Sequence, residues 1–142
     1  MLGITRSKKL LWGDGVQDKL LIVVVEDEAM VRLELEAILE DAGFRVEAFG
    51  RGAAAIEALD RLGDSVDGLV TDIRLGSGPS GWDVARHARS LVAGAAVVYV
   101  SGDSAGDWTA MGVPDSVMIS KPYVPAQIVA AFTQQLNRSS AE

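Results

Sequence analysis

The chain has no cysteine and a single histidine, His87. Without thiols it can form neither disulfides nor thiolate metal sites, a composition that suits the reducing cytoplasm, where we expect the protein to reside. One histidine supplies too few ligands for zinc, and nothing beside it in the sequence favours a Ser-His-Asp arrangement. His87 falls between Arg86 and Arg89 on the polar side of a predicted helix, so we interpret it as a solvated side chain.

Positive charge and long apolar runs are also scarce. The 13 lysines and arginines are outnumbered by 20 aspartates and glutamates, which gives a formal net charge of −7. A general nucleic-acid binder needs a basic face for the phosphates, so we predict no nucleic-acid partner. No apolar run approaches the roughly 20 residues that a membrane-spanning helix needs, so we predict no membrane association.

Residues 1–18 differ from the rest of the chain. The stretch "RSKKLLW", residues 6–12, places basic residues before an apolar run that Gly13 ends. A secretory signal peptide needs a longer apolar core, of about 7–15 residues, so we exclude one. We expect residues 1–18 to form a flexible extension, from which Trp12 is a candidate to pack on the domain.

From residue 20 onward, short apolar runs alternate with helical patterns. The runs are "LLIVVV" (20–25), "RVEAF" (45–49), "DGLVT" (67–71), "AAVVYV" (95–100) and "SVMIS" (116–120). The helical patterns cover residues 28–43, 52–63, 81–94, a short broken stretch at 104–112, and 125–138. This alternation predicts an α/β flavodoxin-like (βα)5 three-layer sandwich with a parallel sheet in the order 2-1-3-4-5. We expect one domain over residues 19–138, followed by a tail at 139–142.

Polar residues stand at the ends of four of the predicted strands. Glu26 and Asp27 follow strand 1, Asp72 follows strand 3, Ser101 follows strand 4 and Lys121 follows strand 5. The carboxyl ends of parallel strands meet at one edge of the sheet, where ligands bind in open α/β folds. Carboxylates crowded there raise one another's pKa unless a cation offsets their charge. Mg²⁺ suits such a site, because it binds one or two carboxylates together with water and phosphate oxygens.

This row of residues also suits phosphoryl chemistry. Asp27 and Asp72 are the natural direct ligands of the metal, and Glu26 would act through a water molecule. A carboxylate can attack phosphorus to give an aspartyl-phosphate, and Asp72 is the best-placed acceptor. The ammonium of Lys121 and the hydroxyl of Ser101 would then bind the phosphoryl oxygens.

Four elements, "VVVEDE", "LVTDIRL", "VVYVSGDS" and "ISKPY", resemble the receiver domain of response regulators in two-component signalling, of the single-domain type. The resemblance covers about 120 residues. It implies that a histidine kinase or histidine phosphotransferase phosphorylates Asp72. It also implies that Asp27, Asp72 and the backbone carbonyl of Arg74 bind Mg²⁺ with help from Glu26, and that the Lys121–Pro122 peptide bond is cis.

The chain departs from the receiver pattern in three places. Met118 stands three residues before Lys121, where receivers usually carry an aromatic that moves together with the hydroxyl residue. The loop after Asp72, "IRLGSGPSGW", is glycine-rich, and the first acid is Glu26 where the family more often has aspartate. The sequence therefore leaves open whether Met118 permits the usual switch.

The resulting interpretation is a regulatory phosphoacceptor and not an enzyme. Phosphorylation would remodel the face formed by helix 4, strand 5 and helix 5 and so change the binding of a downstream protein. Only four residues follow Arg138, so we expect no DNA-binding output domain, and we expect a monomer or weak homodimer.

Four alternatives stay open. Three of them concern the same family: a phosphotransfer intermediate, a receiver fragment of a hybrid histidine kinase, and a degenerate module that binds partners without phosphorylation. A Mg²⁺-dependent phosphohydrolase is a fourth, but Arg74 stands where such an enzyme carries a second aspartate.

Overall fold

The computed structural model describes residues 19–141, without the side chains of 139–141. Its strands are β1 (Leu21–Val25), β2 (Arg45–Phe49), β3 (Gly68–Asp72), β4 (Ala96–Ser101) and β5 (Val117–Ser120). Its helices are α1 (Ala29–Asp41), α2 (Gly52–Leu62), α3 (Gly81–Leu91), α4 (Trp108–Met111) and α5 (Pro125–Ala141), with 3-10 turns at Gly63–Ser65 and Ala105–Asp107. The predicted extension, residues 1–18, lies outside the described residues.

The strands form one parallel sheet in the order β2-β1-β3-β4-β5, which confirms the predicted fold. In this register Val25 pairs with Thr71 on β3, and Asp72 pairs with Val100 on β4. The carboxyl ends of β1, β3 and β4 therefore lie level with one another, which brings the residues that follow them together.

Two apolar clusters lie on the two faces of the sheet. Leu35 of α1 and Phe132 of α5 belong to one cluster, and Leu59 of α2 and Val84 of α3 belong to the other. All five residues of β1 are fully buried, because successive side chains enter the two clusters in turn. This two-sided burial explains the continuous apolar run in the sequence.

The exact burial of two helices differs from the sequence prediction. The helical spacing of the apolar residues predicts that Ala42 lies on the buried stripe of α1 and Leu91 on that of α3. In the structure Ala42 is exposed and Leu39 is fully buried in its place, because α1 ends at Asp41. Leu91 is 42% exposed because it is the last residue of α3, and Trp82 is buried from the first turn.

The ends of the last three helices differ in how far the sequence predicts them. α3 begins with a capping box, in which Ser80 and Asp83 each accept a backbone hydrogen bond from the other. The predicted helix at 104–112 is a 3-10 turn followed by the single turn of α4. α5 continues through Ala141, past the predicted helix end at Arg138.

None of the helices among residues 19–141 combines the length and apolarity needed to cross a membrane.

Candidate functional site

Three carboxylates converge at the carboxyl edge of the sheet. Glu26 and Asp27 follow β1, and Asp72 is the last residue of β3. Each offers an oxygen that lies within 4.8 Å of the oxygens of the other two. Glu26 is fully buried and Asp72 is nearly so, whereas Asp27 is exposed to solvent. The cluster thus has a buried side and an open side, as a cation site with room for a ligand requires.

Lys121 joins two of these acids. Its Nζ lies 3.1 Å from Glu26 Oε1 and 3.0 Å from Asp72 Oδ2. The residue follows β5, and its backbone amide donates to the Ser101 carbonyl at 2.8 Å, which fixes the start of the loop. The Lys121–Pro122 peptide bond is cis. The lysine therefore reaches across the end of β4 to the carboxylates of β1 and β3.

Burial is the main influence on the charge of Glu26. It raises the pKa of Glu26 to about 7, a rise that Asp72 increases and that the Glu28 amide and Lys121 oppose. Burial by itself would lower the pKa of Lys121, but its hydrogen bond and charge interaction with Asp72, followed by those with Glu26, raise that pKa overall. The site therefore favours the charged form of Lys121 and disfavours the charged form of Glu26.

Short contacts orient Asp72 and the strand that carries it. One carboxylate oxygen, Oδ1, accepts a hydrogen bond from the Ile73 amide at 2.7 Å, and Oδ2 faces Lys121. The Asp72 carbonyl accepts from the Thr71 hydroxyl at 2.8 Å. Gly81 packs against the same carbonyl so closely that a Cβ there would overlap it. The first residue of α3 therefore has to be glycine for the strand end to keep this position.

Ser101 is buried at the end of β4, and its hydroxyl is engaged by its own loop. The Oγ atom accepts hydrogen bonds from the amides of Asp103 at 3.2 Å and Ser104 at 2.7 Å. It stands two strands from β1, between Asp72 and Lys121 in the order of the sheet. The structure thus brings Ser101 to the same edge but turns its oxygen towards the following loop.

The side chain of Arg74 extends into solvent from the loop after β3. Its side chain is 76% exposed, and Nε lies 3.2 Å from Asp103 Oδ1, so the pair links the loop after β3 to the loop after β4. A cleft of about 540 Å³ is lined by residues of both loops, Arg74 among them, and by Trp82. The sequence interpretation did not single out Asp103, although it stands in the quoted "SGDS" motif.

Met118 and two tryptophans, Trp82 and Trp108, contact other parts of the domain. Met118 on β5 is half-buried, pairs in register with Tyr99 and packs against the cluster that contains Trp82. The rings of Trp82 and Tyr99 are 4.7 Å apart, so Trp82 packs locally. Trp108 is 37% exposed and donates through Nε1 to Ser116 Oγ at 2.9 Å.

His87 lies at the surface, as interpreted from the sequence, and has one partner there. Its Nε2 atom lies 2.7 Å from Asp60 Oδ1, which links α3 to α2. The partly exposed histidine reaches a neighbouring helix because α2 and α3 pack side by side over the same face of the sheet. Its spacing from an acid on another helix left no local signal in the sequence.

Comparison with known proteins identifies the family. Residues 22–133 match the model of the response regulator receiver domain, and the chain belongs to that family. It is 30% identical over 132 residues to the transcriptional regulatory protein FixJ of Azorhizobium caulinodans, covering 88% of this chain and 59% of FixJ. The chain spans 43% of another curated relative, so it matches about half the length of each.

Two solved structures share the fold. The receiver protein of Sinorhizobium medicae WSM419 superposes with a TM-score of 0.81 and 45% identity, over 84% of this chain and 95% of that one. The receiver domain of the sensor histidine kinase PA1611 from Pseudomonas aeruginosa PAO1 has a TM-score of 0.72 and 21% identity, over 84% and 98% of the two chains. That structure is described with a magnesium ion coordinated in its active-site cleft.

Proposed function

We propose that this receiver domain accepts a phosphoryl group on Asp72 in a Mg²⁺-dependent reaction and so controls a protein partner. One observation carries the proposal: three carboxylates and one lysine meet at a single strand-end edge, where the lysine contacts Asp72. Asp72 has one oxygen held by a backbone amide and the other beside an ammonium. A carboxylate fixed in this way presents a defined oxygen to an incoming phosphorus.

The donor set fits Mg²⁺. Glu26, Asp27 and Asp72 supply only hard oxygen ligands, with one acid open to solvent, and the loop carbonyl of Arg74 is the fourth candidate donor. The magnesium that the PA1611 receiver holds in its cleft supports the same assignment. Bound there, Mg²⁺ would offset the charge of the phosphoryl oxygens.

The phosphodonor in this proposal is a phosphohistidine of a kinase or phosphotransferase. A new O–P bond forms at Asp72 as the donor's N–P bond breaks, and the released imidazole takes up a proton. Lys121 keeps its place beside Asp72 and pairs with a phosphoryl oxygen. The chain thereby stores the signal as a covalent group and turns over no substrate of its own, apart from loss of that group.

Ser101 supplies the switch in this proposal. Its Oγ would leave the amides of Asp103 and Ser104 for a phosphoryl oxygen, which would draw the β4–α4 loop towards the site. Met118, next to β4, has an unbranched and flexible side chain that can fill the space by changing rotamer. The face formed by α4, β5 and α5, with Trp108 and Met111 each 37% exposed, is the surface offered to the partner.

Acyl-phosphate labelling tests the proposal. The wild-type chain incubated with a small acyl phosphate and Mg²⁺ should gain one phosphoryl group by intact mass, and chelation of the metal should abolish the gain. Asp72→Ala should stay unlabelled. Glu28→Gln, which alters the neighbouring acid outside the cluster, should be labelled like the wild type. Labelling that persists in Asp72→Ala would overturn the assignment, and absence of metal-dependent labelling in the wild type would favour an unphosphorylated interaction module.

A further inference from the structure

A groove lies between α1 and α5, away from the acid cluster. It has a volume of about 640 Å³. Ala37 and Ile38 of α1 line one side, and Ala126 and Val129 of α5 line the other. Two carboxylates of α1, Glu34 and Asp41, lie along it. The groove thus combines an apolar floor with negative charge at its side, and fits a segment that carries apolar and basic side chains together.

The chain itself contains such a segment. Residues 6–12, "RSKKLLW", place three of the 13 basic residues of the chain next to two leucines and a tryptophan. None of the 20 acidic residues falls within residues 1–12, whereas α1 carries four acids and one arginine. This separation of charge along one chain favours contact between the two regions.

The end of the extension enters beside the groove. The Leu20 carbonyl accepts a hydrogen bond from the Arg45 amide at 2.9 Å, three residues after Ala42 of the groove. Leu20 also packs against the apolar cluster that α1 and α5 share. The ten residues from Leu10 to Lys19 can span about 30 Å when extended, whereas the stretch of α1 from Glu34 to Asp41 is only about 10 Å long. The tether is therefore longer than this stretch of the groove.

We propose that residues 6–12 dock into the α1–α5 groove of the same chain, with Leu10, Leu11 and Trp12 on the apolar floor and the basic residues beside Glu34 and Asp41. The tether gives the segment a high local concentration, so modest contacts suffice for occupancy. Docking covers part of the surface of α1 and the start of α5, and the extension then competes with any protein that binds there.

The absence of cysteine allows a direct test on the full chain. Leu11→Cys combined with Ala37→Cys places one thiol in the segment and one in the groove. The matched control combines Leu11→Cys with Ala93→Cys, which is exposed at the amino edge of the sheet, within reach of the same tether. Under dilute mild oxidation, the groove pair should form a disulfide within one chain about tenfold faster than the control pair. Adding Glu34→Gln and Asp41→Asn, or 1 M salt, should slow it.

Each other outcome overturns the proposal. Equal rates for the groove and control pairs would show that the segment does not select the groove. A disulfide that forms mainly between two chains would assign the groove to a second copy. A groove rate unchanged by loss of the two carboxylates would remove the charge complementarity on which the assignment rests. Replacing Trp12 by Ala in the groove pair should also slow the disulfide, and an unchanged rate would contradict the apolar contact.

Discussion

The two edges of the sheet both bury polar side chains, but they do so in opposite ways. At the amino edge, Asp67 accepts a hydrogen bond from the Leu21 amide at 2.8 Å. There too, the side-chain amide of Gln135 bonds both the N–H and the carbonyl of Val97 at 3.1 Å. At the carboxyl edge, Glu26 and Asp72 crowd together around Lys121.

The difference separates structure from function. At the amino edge, polar side chains complete the backbone hydrogen bonds of the sheet: β5 pairs with β4 only from Val98 onward, and Gln135 serves Val97 just before that point. At the carboxyl edge, acids lie closer than their own charges favour, and burial raises the pKa of Glu26 to about 7. The first edge contributes stability, and the second gives some of it up, as the proposed site for a cation and a phosphoryl group would require.

The largest expected effect on stability comes from removing a hydrogen-bonding side chain at the amino edge. Gln135→Leu should lower the free energy of unfolding by about 2–4 kcal/mol, because it leaves two backbone groups of Val97 buried without partners. Gln134→Leu, on the exposed neighbouring position of α5, should change it by about 0.5 kcal/mol or less. Urea unfolding measures both. A Gln135→Leu variant as stable as Gln134→Leu would refute the role of Gln135.

The second effect is the stabilisation expected when Mg²⁺ binds at the carboxyl edge. Mg²⁺ at 100 times its Kd should raise the free energy of unfolding by about 2.7 kcal/mol, since it binds only the folded chain. Asp27→Asn should abolish this gain while leaving the metal-free stability nearly unchanged, because Asp27 is exposed. Glu28→Gln should keep the gain. Thermal unfolding with Mg²⁺ and with a chelator measures the difference, and an equal gain in Asp27→Asn would contradict the metal assignment.

The third effect is the pH dependence of the metal-free protein. The pKa of Glu26 is about 7 in the folded chain and 4.5 in its ordinary state, so between these values the folded state binds the extra proton. The Glu26 contribution is therefore present below pH 4.5 and is lost as the pH rises to 7. Glu26→Gln should gain about 1–3 kcal/mol relative to the wild type across this window. Glu28→Gln, measured in parallel by urea unfolding, should show no such trend. A difference in the free energy of unfolding between Glu26→Gln and the wild type that stays constant from pH 4.5 to 7 would contradict the raised pKa of Glu26.

The smallest effect concerns the surface pair between α2 and α3. Asp60→Asn removes the charge beside His87 and should change the free energy of unfolding by less than about 1 kcal/mol, because Asp60 is 60% exposed. Glu57→Gln on the same helix should have no effect. Double substitution with His87→Asn measures the coupling between the two side chains. A coupling above this range would mean that the pair is part of the core and not of the surface.

Much of the fold was predictable because it rests on local patterns. Apolar runs of strand length alternating with helical stripes predict a parallel sheet, and the strand-end positions of Glu26, Asp72 and Lys121 follow from that order. Their convergence needed no long-range information beyond the sheet topology. Family resemblance added the expected metal-binding role of the Arg74 carbonyl, which the pattern of residues alone left open.

The rest depended on contacts between distant segments. The Asp60–His87 pair, the Gln135 bonds to Val97 and the Arg74–Asp103 link each join residues more than 25 positions apart, or 38 for Gln135. No periodicity marks such partners in one sequence. The burial of Leu39 in place of Ala42 followed from the point at which α1 ends, which patterns locate poorly.

Reductive mapping of the phosphorylated chain tests the central claim most directly. Borohydride converts an aspartyl-phosphate to homoserine, and the tryptic peptide of residues 62–74 contains Asp64, Asp67 and Asp72. Fragmentation of that peptide, after treatment with acyl phosphate and Mg²⁺, should show homoserine at position 72 and unchanged aspartate at 64 and 67. Homoserine at 64 or 67, or at any position when Mg²⁺ is chelated, would contradict the account.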